Sequence, residues 1–446
     1  MQYGPKIVTD SLVLALDAAD NNSAPHNDLP VKQGCVTWLD GADDDVFSYS
    51  SGTLVSEWRD KSGNDNHVSQ STTSSQPTRN RTLNSKSVVD FDGSDDSLSS
   101  SNSLTLSSGH TMFAVTLTDA FSSDAGLISI NNQLSNGITV HTGGLVYFYY
   151  GSGGYNTTQG VNLSTSYILT KVWTGATSGN RISYKNGTQG YSTGTMANSN
   201  STGVLRLGQQ TTYYNGYIAE VVIYNRELSQ DEITKVHNYL QNKWNIEVSD
   251  AKWYDQTANA YNGTLTNGLT YSETDKGYFD FDGTDQYMTI SSLLNQETIN
   301  GSTTKTIILW LNADSYGALM PFSTGQNGNN RIYYWTQSSL NTWRIGDYVS
   351  TTDHSTLPSA GTWFCTAIVI NGLSVTGYLN GAQDYTGSYT AFTTQDFAVL
   401  GRHGNLTGTT TPYYYNGKIS QVLVYNKALS AAEVLQNYNA TKSRFT

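Results

Sequence analysis

Tyr214-Asn-Gly-Tyr-Ile-Ala-Glu-Val-Val-Ile-Tyr-Asn-Arg-Glu-Leu-Ser-Gln-Asp-Glu-Ile233 returns without a gap as Tyr415-Asn-Gly-Lys-Ile-Ser-Gln-Val-Leu-Val-Tyr-Asn-Lys-Ala-Leu-Ser-Ala-Ala-Glu-Val434. In each copy an Asn-Gly pair, suited to the positive φ of a tight turn, precedes a β-branched and aromatic run. Those runs, Ile218–Tyr224 and Ile419–Tyr425, read as core strands of a sandwich. Ser229-x-x-Glu232 and Ser430-x-x-Glu433 are capping boxes that open a short helix. In the first copy Ile233, Val236 and Leu240 give that helix one apolar face.

Working outward, the likeness extends upstream in the same order. Lys185-Asn-Gly187 matches Leu379-Asn-Gly381, Val89-Asp-Phe-Asp-Gly93 matches Phe279-Asp-Phe-Asp-Gly283, and Glu57-Trp-Arg-Asp60 matches Lys252-Trp-Tyr-Asp255. Ordered matches of this kind mark duplication of a whole domain, and 446 residues suffice for two. Short strands between Gly, Asn and Ser turns make the expected class all-β: two antiparallel jelly-roll β-sandwiches, each with a short C-terminal helix.

The opening strand is displaced. Val36-Thr-Trp-Leu-Asp-Gly-Ala-Asp43 starts the first copy, and the stretch before Trp253 that should hold its counterpart is the helix of that first copy. The counterpart is Val13-Leu-Ala-Leu-Asp-Ala-Ala-Asp20, at the N-terminus. The economical reading is that one sandwich is inserted in the other: 1–29 plus 250–446 as the outer, 35–247 as the inner. Tandem domains with a stray N-terminal strand are the alternative. Insertion between surface points is tolerated because loop-closure cost grows slowly with length.

Only 13% of residues are charged and the formal net charge is -12, which argues against tracking nucleic-acid phosphates. No apolar run approaches the roughly 20 residues of a membrane span, so no membrane insertion is expected. The first ten residues lack the basic and apolar regions of a secretory signal. Cys35 and Cys365 are two thiols only, too few for a disulfide framework, and free thiols are expected.

The run Ile7-Val-Thr-Asp-Ser-Leu-Val-Leu-Ala-Leu-Asp-Ala18, with Trp253-Tyr-Asp255, Phe281-Asp-Gly283 and Asn416-Gly…Tyr425-Asn…Leu429-Ser…Glu433, resembles the concanavalin-A-like, laminin-G-like jelly rolls of tailed-phage structural proteins. That resemblance implies a capsid decoration, fibre or tail appendage at the virion surface, made in the host cytoplasm. Its implied partners are other virion proteins and cell-surface glycans; self-association stays open. A fold by itself does not establish function.

Enzymatic relatives of this fold carry Glu-x-Asp-x-x-Glu on one strand, placing paired carboxylates on one face. Here the nearest segment is Glu273-Thr-Asp275, where Tyr278 replaces the second Glu, and it reads as a polar turn. The histidines show no zinc or triad spacing, and His237 is expected at the helix surface or partly packed. No catalytic residue and no certain cofactor are therefore expected. The resemblance implies calcium as the one plausible ion, which takes several hard oxygen ligands. Asp17, Asp20, Asp282 and Asp285 are candidates in the outer copy, and Asp40, Asp43, Asp92 and Asp95 in the inner. The competing reading of these aspartates is turn formation.

Sugar binding requires aromatic rings beside amide and carboxylate groups. Tyr333, Tyr334, Trp335, Trp343 and Tyr348 are the densest such group, and Tyr413-Tyr414-Tyr415 is a second. Tyr147–Tyr150 and Tyr213-Tyr214 correspond loosely in the inner copy. Alternation along strands puts about half of such rings in the core. The function expected is non-enzymatic display of carbohydrate-binding jelly rolls on a phage particle, with a free lectin module or, further off, a polysaccharide-degrading enzyme as alternatives.

Overall fold

The computed structural model describes residues 6–20, 23–24, 28–106, 109–131, 136–150, 155–175, 181–192, 201–290, 304–316, 319–324, 333–337, 342–346, 351–353, 357–388, 398–403 and 413–445. Its contacts divide the chain into a central unit, Asp28–Asp250, and a discontinuous unit made of Met1–Asn27 and Ala251–Thr446.

The discontinuous unit contains two antiparallel sheets. In one, Asn416–Tyr425 lies between Tyr278–Asp282 and Thr304–Ala313, followed by Phe364–Asn371, Ser374–Leu379 and Ala382–Ser388. Leu12–Asp17 also pairs with Asn416–Tyr425. The other sheet orders Lys252–Trp253, Gly263–Thr266, Tyr287–Ile290, Ala398–Leu400, Leu319–Thr324, Tyr333–Gln337, Thr342–Gly346 and Thr351–Asp353.

The central unit repeats these pairings. Asn215–Tyr224 pairs with Cys35–Asp40, Lys86–Asp92 and His110–Ala120, and the last pairs with Ser166–Trp173. A second layer runs Leu98–Leu106, Ser201–Leu207, Ala125–Ile130, Asn136–Val140, Leu145–Tyr150. Between the layers Trp58, Leu98, Ile128, Phe148, Leu169, Tyr214 and Val221 build one continuous core. Both units are antiparallel jelly-roll sandwiches.

The motifs shared by the two copies are structural fasteners. Asp60 Oδ1 accepts the Trp38 amide at 2.8 Å, and Asp255 Oδ1 accepts the Ala15 amide at 2.9 Å. Each thereby ties its Trp-x-Asp segment to the opening strand of its own unit, which explains why Trp, fully buried at Trp58 and Trp253, sits two residues before Asp. The Asn-Gly turns adopt the left-handed pair expected of them: φ is 48° and 75° at Asn186-Gly187, 50° and 79° at Asn380-Gly381.

Helix α1, Gln230–Trp244, and helix α2, Ala431–Thr441, both begin with a complete capping box, at Ser229/Glu232 and Ser430/Glu433. Beneath α1, the buried Glu220 accepts from Trp38 Nε1 (2.7 Å), Tyr239 OH (2.6 Å) and Trp244 Nε1 (2.7 Å), and Lys243 Nζ lies 2.9 Å away. Beneath α2 the same register position is Gln421, whose amide donates to Asp17 at 2.8 Å.

His237, expected at the helix surface or partly packed, is wholly buried and set edge-on to Phe113 and Tyr184. Its Nδ1 meets Asp250 at 3.0 Å and its Nε2 meets Thr170 Oγ1 at 2.9 Å. The apolar face of α1 is therefore wider than Ile233, Val236 and Leu240, because a paired imidazole can be buried where a lone one would be costly. Cys35 and Cys365 are free and buried.

Candidate functional site

Two open clefts in the central unit carry enough polar groups to hold a ligand. One, about 460 Å³, lies between the Asn186–Thr188 turn and the Asn245–Ser249 segment. The other, about 520 Å³, is walled by Leu54, Thr73, Ser74, Gln76, Thr78, Asp90, Asp92 and Asp96. Hydroxyls, an amide and carboxylates stand around the Leu54 side chain, so the second cleft combines hydrogen-bonding groups with apolar wall.

Its acidic wall is shaped by the loop that follows Lys86–Asp92. Gly93, at φ 80°, turns the chain so tightly against Asn215 that a Cβ there would lie 2.7 Å from the Asn215 Cβ. Asp92 Oδ1 then accepts from the Ser94 amide at 2.7 Å, while the Asp92 amide donates to Asp96 Oδ2 at 2.9 Å. Ser75 Oγ donates to Asp95 at 2.9 Å. These contacts bring oxygens of Asp92, Asp95 and Asp96 within 4.8 Å of one another, the one such acidic group among the described residues.

Burial pushes the Asp96 carboxyl up to about 6, with the charges of Asp92 and Asp95 adding to the effect and the Asp92 amide opposing it. Burial also raises Asp90, although Arg81 lies 2.8 Å away and favours its ionised form. The cleft therefore keeps its negative charge at neutral pH and sheds part of it in mild acid.

The sequence-derived aspartates separate into two groups. Asp17 receives both Arg444 guanidinium nitrogens, at 2.6 and 2.7 Å. Asp40 receives Lys243 and Lys61, and Asp43 caps the short turn after it while meeting Lys61 at 2.6 Å. The expected calcium ligands Asp17, Asp40 and Asp43 thus each meet a cation of the protein itself. The Asp20 carbonyl closes a turn with the Ser23 amide.

Asp92 and Asp95 remain, joined by Asp96, which comparing the copies conceals because its counterpart is Gln286. In the discontinuous unit Asp282 accepts from the Thr284 and Asp285 amides, and its own amide donates to Gln286 Oε1 at 3.1 Å. The hard oxygens of Asp92, Asp95 and Asp96 suit a calcium ion; the pair Asp282 and Asp285, with an amide third, is the poorer donor set.

The aromatic candidates fare unequally. Tyr333, Tyr334 and Trp335 lie on the strand Tyr333–Gln337 and Trp343 on its neighbour, where the register opposes Trp335 to Arg344 and Trp343 to Thr336. The two tryptophans are thus not cross-strand partners. The side chains of these four, and all of Tyr348, lie outside the described residues. Tyr413 is 42% exposed, and Tyr414 is half-buried with Arg402 5.5 Å from its ring. Tyr415 and Tyr214 are completely buried, which removes them from any glycan face. Tyr147 stacks on His141 at 4.8 Å, while Phe148 and Tyr150 belong to the core.

Residues 282–435 match the family model described as the concanavalin A-like lectin/glucanases superfamily, in its laminin-G form. No curated protein sequence matches the chain. Similar solved structures include domain 4 of AbnA, a GH43 extracellular arabinanase from Geobacillus stearothermophilus, in complex with arabinotriose. It is 16% identical, covering 42% of this chain and 92% of that one, with a TM-score of 0.34. The CBM40 of the Ruminococcus gnavus IT-sialidase, bound to α2,3-sialyllactose, is 17% identical over 35% of this chain and 94% of its own, with a TM-score of 0.30. The botulinum neurotoxin type G receptor-binding domain is 13% identical, covers 42% and 47%, and has a TM-score of 0.31.

Proposed function

We propose that the chain is a non-enzymatic virion structural protein of a tailed phage, a capsid decoration or a fibre or tail appendage, whose jelly rolls bind surface carbohydrate. The observation that carries the binding half is the cleft of about 520 Å³, whose Thr73, Ser74, Gln76 and Thr78 offer the hydroxyl and amide groups that recognise sugar hydroxyls. The lectin/glucanase family match supports the same reading. The phage half rests on the sequence resemblance, which supports a protein made in the host cytoplasm and displayed at the virion surface, with capsid or tail proteins as partners.

Hydrolysis is the competing chemistry, since Asp96, with its raised carboxyl, could serve as a general acid. Two features oppose it. Asp96 is 5% exposed, and one of its oxygens is held by the Asp92 amide, so it presents little to a glycosidic oxygen. Glu273 and Asp275, the nearest sequence match to the catalytic strand, lie in an exposed turn.

Purified particles test the whole reading. The protein should co-purify with them, and Ala at both Thr73 and Ser74, on the wall of that cleft, should reduce adsorption to cells without preventing particle assembly. Weak glycan affinity suffices, because many copies act together. Release of reducing ends from β-glucans, agars or capsular polysaccharides would make it an enzyme. Recovery only as free protein in the medium would make it a secreted lectin.

A further inference from the structure

Lys171 is an ionisable group sealed in the core. It sits on Ser166–Trp173 in the central unit and points inward, its side chain wholly buried. Its Nζ lies 2.8 Å from His110 Nε2 and 4.7 Å from the centre of the Tyr150 ring, and donates to Asn136 Oδ1 in a very short contact. His110 and Asn136 are equally buried. Burial alone holds the Lys171 amine well below its ordinary range, with no carboxylate acting on it. Such burial favours the uncharged amine, whose lone pair makes it a nucleophile.

The electrophile is the side-chain amide of Asn136. Its carbonyl carbon is one C=O bond, about 1.23 Å, beyond the oxygen that Nζ already touches. Asn136 opens the strand Asn136–Val140 in one layer of the sandwich, whereas Lys171 and His110 belong to the other. The three groups therefore meet across the core, with solvent excluded.

We propose that Lys171 and Asn136 join in an amide bond across the core of the central unit, formed by the chain itself with His110 as proton carrier. The Nζ lone pair attacks Cγ of Asn136, and the carbonyl pair moves onto Oδ1. His110, with its own proton on Nδ1, accepts one proton from Nζ at Nε2 and passes it to Nδ2 of Asn136. Return of the oxygen pair breaks Cγ–Nδ2 and expels ammonia. One N–C bond replaces another, no oxidation state changes, and ammonia is the only product besides the cross-link. Its escape to solvent draws the exchange forward.

The bond would staple the two layers between residues 35 apart in sequence. It would act as a disulfide does, by restricting the unfolded chain, in a protein whose two cysteines are unpaired. The discontinuous unit cannot make it. Lys171 faces Met112 across its strand pair, and the matching pair is Ile368 with Ile307; isoleucine stands where the nucleophile would be.

Mass spectrometry of the full-length chain tests the bond. The denatured protein should be lighter than its sequence by one ammonia, and digestion should yield a single branched peptide containing both Lys171 and Asn136. Lys171→Met and Asn136→Ala should each restore the mass of the unlinked chain, and His110→Asn should slow the mass loss at least tenfold in freshly made protein. Separate, unmodified peptides carrying Lys171 and Asn136 from the wild type would overturn the proposal, whether or not the variants fold. Cross-linking at an unchanged rate in His110→Asn would remove the histidine from the mechanism.

Discussion

At the residue scale, the two copies solve one problem with different bases. Thr111 Oγ1 and Thr306 Oγ1 play the same part, each accepting the backbone amide that leads into its helix, of Leu228 and of Leu429. That equivalence places Lys305 where the central unit has His110. Burial pulls the Lys305 amine down to about 8 from its usual 10.5. Below pH 8 the folded lysine is charged while buried, and the unfolded chain binds its proton more tightly. The resulting penalty is full below pH 8 and is relieved as pH rises from 8 to 10.5, so stability climbs with pH across that window. The shift corresponds to on the order of 3 kcal/mol. Lys305→Met should therefore flatten the response of the discontinuous unit between pH 8 and 10.5. Denaturant unfolding at several pH values measures this; an unchanged slope in the variant would show that Lys305 is not its source. Nothing in the sequence marks Lys305 or Lys171 as buried, because each lies in a mixed strand whose inward face becomes known only once its neighbours are paired. Asp96 was hidden for a different reason: comparing the copies rewards what they share, and here one has Asp and the other Gln286.

At the element scale, what the sequence made legible was the strand-turn-helix block and its fastening. Periodicity, the Asn-Gly turns and the capping boxes are local signals, and local chemistry decides them. What held each helix down was not legible, since it depends on pairs far apart in the chain. Glu220 is the clearest case. It is fully buried and takes three side-chain hydrogen bonds besides its ion pair with Lys243, which also holds Asp40. Removing the carboxylate strands the Lys243 ammonium beside one partner and orphans two indole N–H groups and a phenol. Breaking a buried pair in this way costs about 3–5 kcal/mol. Glu220→Ala should thus lower the midpoint of the central unit's unfolding sharply. Glu220→Gln, which copies the natural Gln421, should cost less because it retains an acceptor for the ring donors. Equal losses from the two substitutions would show that charge, rather than hydrogen bonding, seats α1. The cations that meet the expected calcium ligands Asp17 and Asp40, Arg444 and Lys243, were hidden for a related reason: their proximity follows from the fold.

At the scale of the whole molecule, the repeat alone delimits 35–247, whereas the compact central unit runs from Asp28 to Asp250. The difference has physical content. Tyr224 OH donates to the Val31 carbonyl at 2.7 Å, and Asp250 accepts from Thr234 while pairing with the buried His237. Cutting at 35 and 247 removes both fasteners and leaves an imidazole buried without its carboxylate, so Asp28–Asp250 is the piece expected to fold unaided, with the shorter version weaker. The converse piece, 250–446, lacks Leu12–Asp17. That strand contributes Leu14 and Leu16, both fully buried, and pairs along Asn416–Tyr425. It also supplies Asp17 to Arg444, and the N-terminal stretch before it lends the Val8 carbonyl to Tyr425 OH. Burying each leucine is worth about 2 kcal/mol, and a domain's whole margin is about 5–15 kcal/mol. Loss of the strand should leave 250–446 unfolded or aggregated, and adding residues 1–29 as a separate peptide should restore cooperative unfolding. Circular dichroism and denaturant titration of the three pieces decide the matter. Cooperative folding of 250–446 alone would mean that the N-terminal strand is an accessory and that the two sandwiches are tandem domains rather than nested ones.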